Sequence, residues 1–244
     1  MWRSFLRAIT VSVPVLIALL TIACGSSPTS PTPAPVPVPT PAPPPSSPVS
    51  MIETLPCPTT LTIALDLHFY QEIGCNVFDD PTFPAPIRRW AQAPRLYLLT
   101  VDDAGAPIDA VTLDTVQQAM ITAAPMLTNG RFELAGVDRG TDTRQIGARG
   151  IISVRWLATS LSPTICGQTR IAGESGLVEM NYKNASCSCN GSAIRPGTAR
   201  HELGHALGYY HTDSATDLMS GLPVSRCDAS PSPREQQAIA YHYR

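Results

Sequence analysis

His201-Glu202-Leu203-Gly204-His205-Ala206-Leu207-Gly208-Tyr209-Tyr210-His211 is the stretch on which the reading of this chain turns. Its pattern is HExxHxxGxxH. On a helix, His201 and His205 stand four residues apart and project from one face about 5–6 Å from each other, a gap that one metal ion bridges. Glu202 adjoins the first histidine without being a ligand, so its carboxylate can hydrogen-bond a water at the metal and serve as general base. Gly208 ends the helix, because glycine accepts the positive φ of a helix C-terminus, and the turned chain brings in His211 as a third ligand. Three imidazoles around one ion are a zinc donor set with the fourth position left open for water and substrate.

Eight residues past His211 comes Met219, within Asp217-Leu218-Met219-Ser220. The histidine motif and this second segment together resemble the metzincin metallopeptidases, whose Met-turn packs a methionine beneath the zinc-binding histidines. The short interval from His211-Thr212-Asp213 to Met219 is most similar to the matrixin-like branch. The resemblance implies an α+β, zincin-like fold: a twisted mixed sheet, an active-site helix, the Met-turn and a closing C-terminal helix. It also implies a zinc-dependent endopeptidase acting on protein or peptide substrates, with His201, His205 and His211 as ligands, Glu202 catalytic and Met219 a floor residue. The chain departs from the branch at Thr212, where serine is usual. No proline stands two places after Met219, although Pro223 is close. The cysteine-containing propeptide motif that masks zinc in matrixins has no match. A rival of another class is a surface binding or scaffolding lipoprotein in which zinc only knits the fold together. Such a site closes all four positions with protein ligands, and Asp213 or a nearby cysteine is the candidate fourth.

The ends of the chain point to export. Arg3 and Arg7 precede a mostly apolar run from Ile9 to Ala23, so residues 1–23 read as a signal peptide; the run is short for a membrane span and carries Ser12 and Pro14. Leu20-Thr21-Ile22-Ala23-Cys24-Gly25 resembles a bacterial lipobox, which makes Cys24 the expected lipidation site and the cell envelope the expected location; ordinary cleavage and secretion is the alternative. From Pro28 to Pro48 eleven of twenty-one residues are proline. Residues 24–49 are therefore a lipid-anchor cysteine and a linker, which in polyproline II form reaches roughly 60 Å. Of seven cysteines, one spent on lipid leaves six for three disulfides in an oxidising compartment. Cys57 with Cys75 is the first expected pair. Cys187 and Cys189 are expected to take different partners, Cys166 and Cys227. A second metal site at Cys187-Ser188-Cys189 is the competing reading.

A formal charge of −2 with no basic block speaks against nucleic acid as a partner, and the soluble part, about 195 residues, fits one domain of ordinary size and a monomer. Residues 50–88 read as an accessory segment and 89–244 as the catalytic domain. Within the former, Leu61, Ile63, Leu65, Leu67 and Phe69 alternate with polar neighbours, the period of a half-buried strand over 60–70 with His68 on its polar face; Asp79 to Pro86 reads as a loop. Arg88-Arg89-Trp90 leads into a strand over 94–101. Leu113, Val116, Met120 and Ala123 recur at helical spacing, with Asp109 or Thr112 as cap and Pro125 as terminator. Strands are expected over 132–137, 150–157 and 176–182, the last as the exposed edge that would hold an extended substrate by backbone pairing. Ser232, Pro233 and Glu235 start a last helix, with His242 near its end on the surface. Asp102, Asp103, Asp138 and Asp142 are acids that can bind calcium, a requirement the sequence leaves open.

Overall fold

The structure, a computed structural model, describes residues 49–159, 162, 164–222 and 226–244. The expected signal peptide, Cys24, all but the last residue of the linker, and Pro223 lie outside the described residues. Those that are described form an α+β arrangement of two sheets and four helices.

Residues 94–101 form a strand as expected, observed as β3 (Arg95–Asp102), in a five-stranded mixed sheet with β4 (Gly136–Gly140), β5 (Ile151–Trp156), β6 (Gly167–Ala172) and β7 (Ser175–Met180). The order is β4-β3-β5-β7-β6. All neighbours are parallel except β6, which runs antiparallel to β7. The expected edge at 176–182 is thus overturned. β7 lies inside the sheet with Val178 and Met180 fully buried, which is why it reads as an apolar run, whereas the edge strand next to it is the polar β6. The strand expected over 132–137 begins only at Gly136, because Phe132 and Leu134 pack against the core from a loop and Ala135 N–H donates to the Pro94 carbonyl.

The helix α2 (Ala110–Leu127) starts where Asp109 accepts the Thr112 N–H, at 2.8 Å. Pro125 does not terminate it. Its missing N–H falls in the last turn, where one ladder bond is lost, and the helix continues to bury Leu127. α2 lies along β3 and contacts α3 (Pro196–Ala206), which lies along β7 and β6; both therefore cover one face of the sheet. Leu96, Leu98, Val116, Met120, Ile152, Val154, Leu203 and Ala206 are fully buried members of the core there.

The alternation over 60–70 does not become a strand. Asp66 accepts N–H bonds from His68 and Phe69 and starts a helix instead, α1 (Leu67–Cys75), whose buried face is Phe69, Tyr70 and Ile73. Those residues have helical spacing, and among the described residues no strand pairs with this stretch; Ile63 is left 48% exposed. His68 is exposed on α1. On either side of α1, β1 (Ile52–Leu55) and β2 (Ile87–Trp90) pair antiparallel, and α1 packs on the last helix, α4 (Pro233–His242). α4 has the expected capping box: Ser232 Oγ accepts the Glu235 N–H and Glu235 accepts the Ser232 N–H. His242 is not a surface residue. It is 1% exposed, with its Nδ1 3.2 Å from the Tyr70 hydroxyl and its ring against those of Tyr209 and Tyr243, because the end of α4 docks into this aromatic cluster.

Cys57 pairs with Cys75 as expected, and Cys187 and Cys189 take different partners, Cys166 and Cys227 respectively, an assignment the sequence leaves open. A metal site at Cys187 and Cys189 is thereby excluded. Three disulfides fit an exported protein. Among the described residues no helix is long and apolar enough to cross a membrane.

Candidate metal centre

α3 begins with Pro196 at its first position, where a missing N–H is harmless, and closes with a Schellman turn. Tyr209 N–H donates to the Gly204 carbonyl and Gly208 N–H to that of His205. Gly208 makes this turn possible twice over. Its φ is +108°, and a Cβ there would overlap the Arg88 carbonyl of β2. The last carbonyls of α3 are taken by aromatic side chains, Trp90 Nε1 donating to Ala206 at 2.7 Å and the Tyr243 hydroxyl to Leu207 at 2.8 Å. The helix end is thus fixed by β2 and α4, elements distant in sequence.

These contacts bring the three histidines together. His205 Nε2 lies 3.0 Å from His201 Nε2 and 3.2 Å from His211 Nε2. What the opposite ring nitrogens touch decides the meaning of that convergence. His201 Nδ1 is 2.7 Å from the Leu218 carbonyl and His205 Nδ1 is 2.8 Å from the Tyr209 carbonyl. Carbonyls only accept, so both Nδ1 atoms carry the proton. His211 Nδ1 faces a carboxylate oxygen of Asp79 at 3.0 Å and does the same. Burial pushes the basicity of His201 down; for His205 burial comes first and the charges of His201 and His211 add to it. In neutral rings each Nε2 is then a bare lone pair, and three lone pairs facing one another repel unless a cation lies between them. Tetrahedral zinc with nitrogens at about 2.0–2.1 Å sets its ligands about 3.4 Å apart, close to the separations seen. The donor set fits a metal. Among the described residues His201, His205 and His211 are the one such group.

Among the described residues no fourth protein donor joins them. Asp213 pairs with Arg234, and Cys57, Cys75, Cys166, Cys187, Cys189 and Cys227 are all in disulfides. The acids considered for calcium have other partners: Asp102 accepts from Ala104, Ala106 and Tyr182, Asp103 from Ala158, Asp138 pairs with Arg95 and Asp142 with Arg144.

Glu202 is 4% exposed and lies against β6. Thr169 Oγ1 donates to Glu202 Oε2 at 2.8 Å, and a Cβ on Gly167 would come within 2.6 Å of Oε1. Burial pushes the Glu202 carboxyl up to about 7, opposed by the Thr169 bond and by His211. Met219 is 1% exposed, and its sulfur fills the space a side chain on Gly204 would need. The turn that carries it is held by Glu235, whose two oxygens accept the N–H of Met219 (2.7 Å), Leu218 (2.8 Å) and Ser232 (2.7 Å). Thr212 donates to Asp217 at 2.8 Å, and Asp217 also receives Ser232 and Arg234.

Sequence reasoning gives Asp79, Thr169 and Gly167 no role at the site, and gives Glu235 only that of a helix cap. Three of them reach the site through contacts between distant segments, which leave no local pattern. Glu235 carries a signal, the capping box, but two of the three N–H groups it accepts, those of Leu218 and Met219, are tertiary.

No protein-family model and no curated protein matches the chain. Among solved structures, it is similar to the crystal structure of metalloproteinase-II from Bacteroides fragilis, at 14% sequence identity and a TM-score of 0.41, covering 72% of this chain and 66% of that one.

Proposed function

We propose that this chain is a zinc-dependent endopeptidase of the metzincin type, matrixin-like branch, that hydrolyses peptide bonds of extended protein substrates outside the cytoplasm. The observation that carries the reading is the convergence of three Nε2 lone pairs beside a buried carboxylate with no fourth protein donor among the described residues. His201, His205 and His211 would hold the ion. Bound there, zinc supplies Lewis acidity for a peptide carbonyl and lowers the pKa of water. Glu202 accepts the proton released as water attacks the carbonyl and passes it to the departing amine. Thr169 keeps one oxygen of Glu202 in place for this role, and Met219 forms the floor under the imidazoles.

β6 is the edge strand beside Glu202, and its outer backbone groups, apart from the Ile171 carbonyl that accepts from Arg88, offer pairing to an extended peptide. The same proposal places residues 1–23 as a signal peptide and Cys24 as a lipid anchor in the bacterial envelope, with the proline-rich linker as spacer. The chain then acts as a monomer, with membrane contact through its lipid and none with nucleic acid.

The purified chain should contain one zinc and cleave casein, with activity abolished by a chelator and restored by zinc. Glu202→Ala should keep the metal and lose turnover. Full activity in that variant, or no zinc in protein folded without chelators, would falsify the proposal.

A further inference from the structure

We infer that Asp79, from the segment that precedes the main sheet, is a positioning residue of the metal centre, holding His211 in the tautomer and ring rotation that turn its Nε2 toward the other two imidazoles. The inference rests on the zinc reading above and extends it to residues outside the motif.

His201 and His205 lie on α3 and give their Nδ1 protons to backbone carbonyls. His211 has left the helix. Its acceptor is the Asp79 carboxylate, 132 residues away in sequence, at 3.0 Å. The two side chains are 32% and 43% exposed, and a polar contact so open to water contributes about 0–1 kcal/mol to folding. Stability alone therefore gives this contact little purpose. On the far nitrogen of a metal-ligating histidine, however, a carboxylate fixes the ring and raises its basicity, an effect worth roughly 10–100-fold in metal affinity.

The loop that carries Asp79 is held in place for such a task. The disulfide from Cys57 to Cys75 and the Asn76 turn (φ 63°) set its start. Ala85 N–H donates to the Cys75 carbonyl at 2.7 Å, and Asp80 accepts the N–H of Thr82 and Phe83. Phe78 packs where a side chain on Gly221 would stand, next to His211 Cβ. One residue before the third histidine, Tyr210 N–H donates to the Ile73 carbonyl of α1 at 2.7 Å. The segment thus grips both the backbone leading into His211 and its ring. Asp79 approaches from the Nδ1 side, opposite the converging nitrogens, so it is not a fourth ligand or a mask over the open position.

The test is zinc affinity of the full chain, measured by competition with a chromogenic chelator, for the wild type, Asp79→Asn and Asp79→Ala, together with the melting temperature of each metal-free protein. Asp79→Ala should bind zinc roughly 10–100-fold more weakly. Asp79→Asn should lose less, since its amide oxygen still accepts the proton without the charge, and the metal-free melting temperatures should agree. Substituted cobalt should show a shifted visible spectrum in the alanine variant. Wild-type zinc binding with an Asp79→Ala affinity within twofold of it, or an affinity loss that only tracks lower metal-free stability, overturns the role of Asp79 alone. A wild type that takes up no zinc overturns the zinc reading itself.

Discussion

Glu235 is a demanding test of how the site is built. Its side chain is fully buried, and its two oxygens accept three backbone N–H groups, two of them from Leu218 and Met219, which are 2% and 1% exposed. In Glu235→Ala the two turn N–H groups lose their acceptor where water does not reach. Each orphaned buried donor costs about 1–3 kcal/mol, and loss of half the capping box adds about 0.5–1 kcal/mol. Folding stability should drop by about 2.5–7 kcal/mol. Glu235→Gln keeps the shape but turns one amide N–H toward a backbone N–H, so about half that loss is expected. The assay is urea unfolding of the disulfide-intact chain with chelator present, read as a shift in midpoint at constant slope. A second readout follows from Leu218, whose N–H is held by Glu235 and whose carbonyl accepts the His201 proton: both variants should also bind zinc more weakly than wild type. A loss under 1 kcal/mol in Glu235→Ala would refute the reasoning, because it would mean the turn finds its bonds elsewhere.

Gly208→Ala should leave little folded protein, since the residue needs φ +108° and a Cβ there would overlap the Arg88 carbonyl; circular dichroism of a soluble variant melting within a few degrees of wild type would contradict this. His242, whose burial holds its basicity down to about 3, makes acid stability a second check. The unfolded ring titrates near 6.5, so between about pH 6.5 and 3 the unfolded chain binds the extra proton and stability falls as pH drops, by up to about 1.4 kcal/mol per pH unit. His242→Phe should be less stable at pH 7, having lost the neighbour of the Tyr70 hydroxyl, yet lose less between pH 7 and 5; identical acid slopes in metal-free urea titrations would count against the assignment.

The sequence alone was sufficient wherever the determinants are close along the chain. The spacing of His201, His205 and His211, the Gly208 stop and the Ser232 capping box all depend on interactions whose geometry short segments impose, and the folded chain brings each of them together. Local pattern failed where a long-range partner decided the outcome. The alternation over 60–70 resembles a strand, but a strand needs a neighbour to bond to, and here Asp66 starts a helix that packs on α4 instead. The run at 176–182 is expected as an edge, whereas burial on both faces marks an interior strand; the edge strand next to it, β6, is polar because one side of it faces water. His242 sits at a helix end that reads as surface until the aromatic rings of α1 and the turn after α3 close over it. Tertiary structure also supplied what orients the motif: the Leu218 and Tyr209 carbonyls and the Asp79 carboxylate fix three tautomers, and Thr169 holds Glu202. A sequence can state which side chains are able to grip an ion, but the direction in which each ring nitrogen points is set by acceptors that only folding brings near.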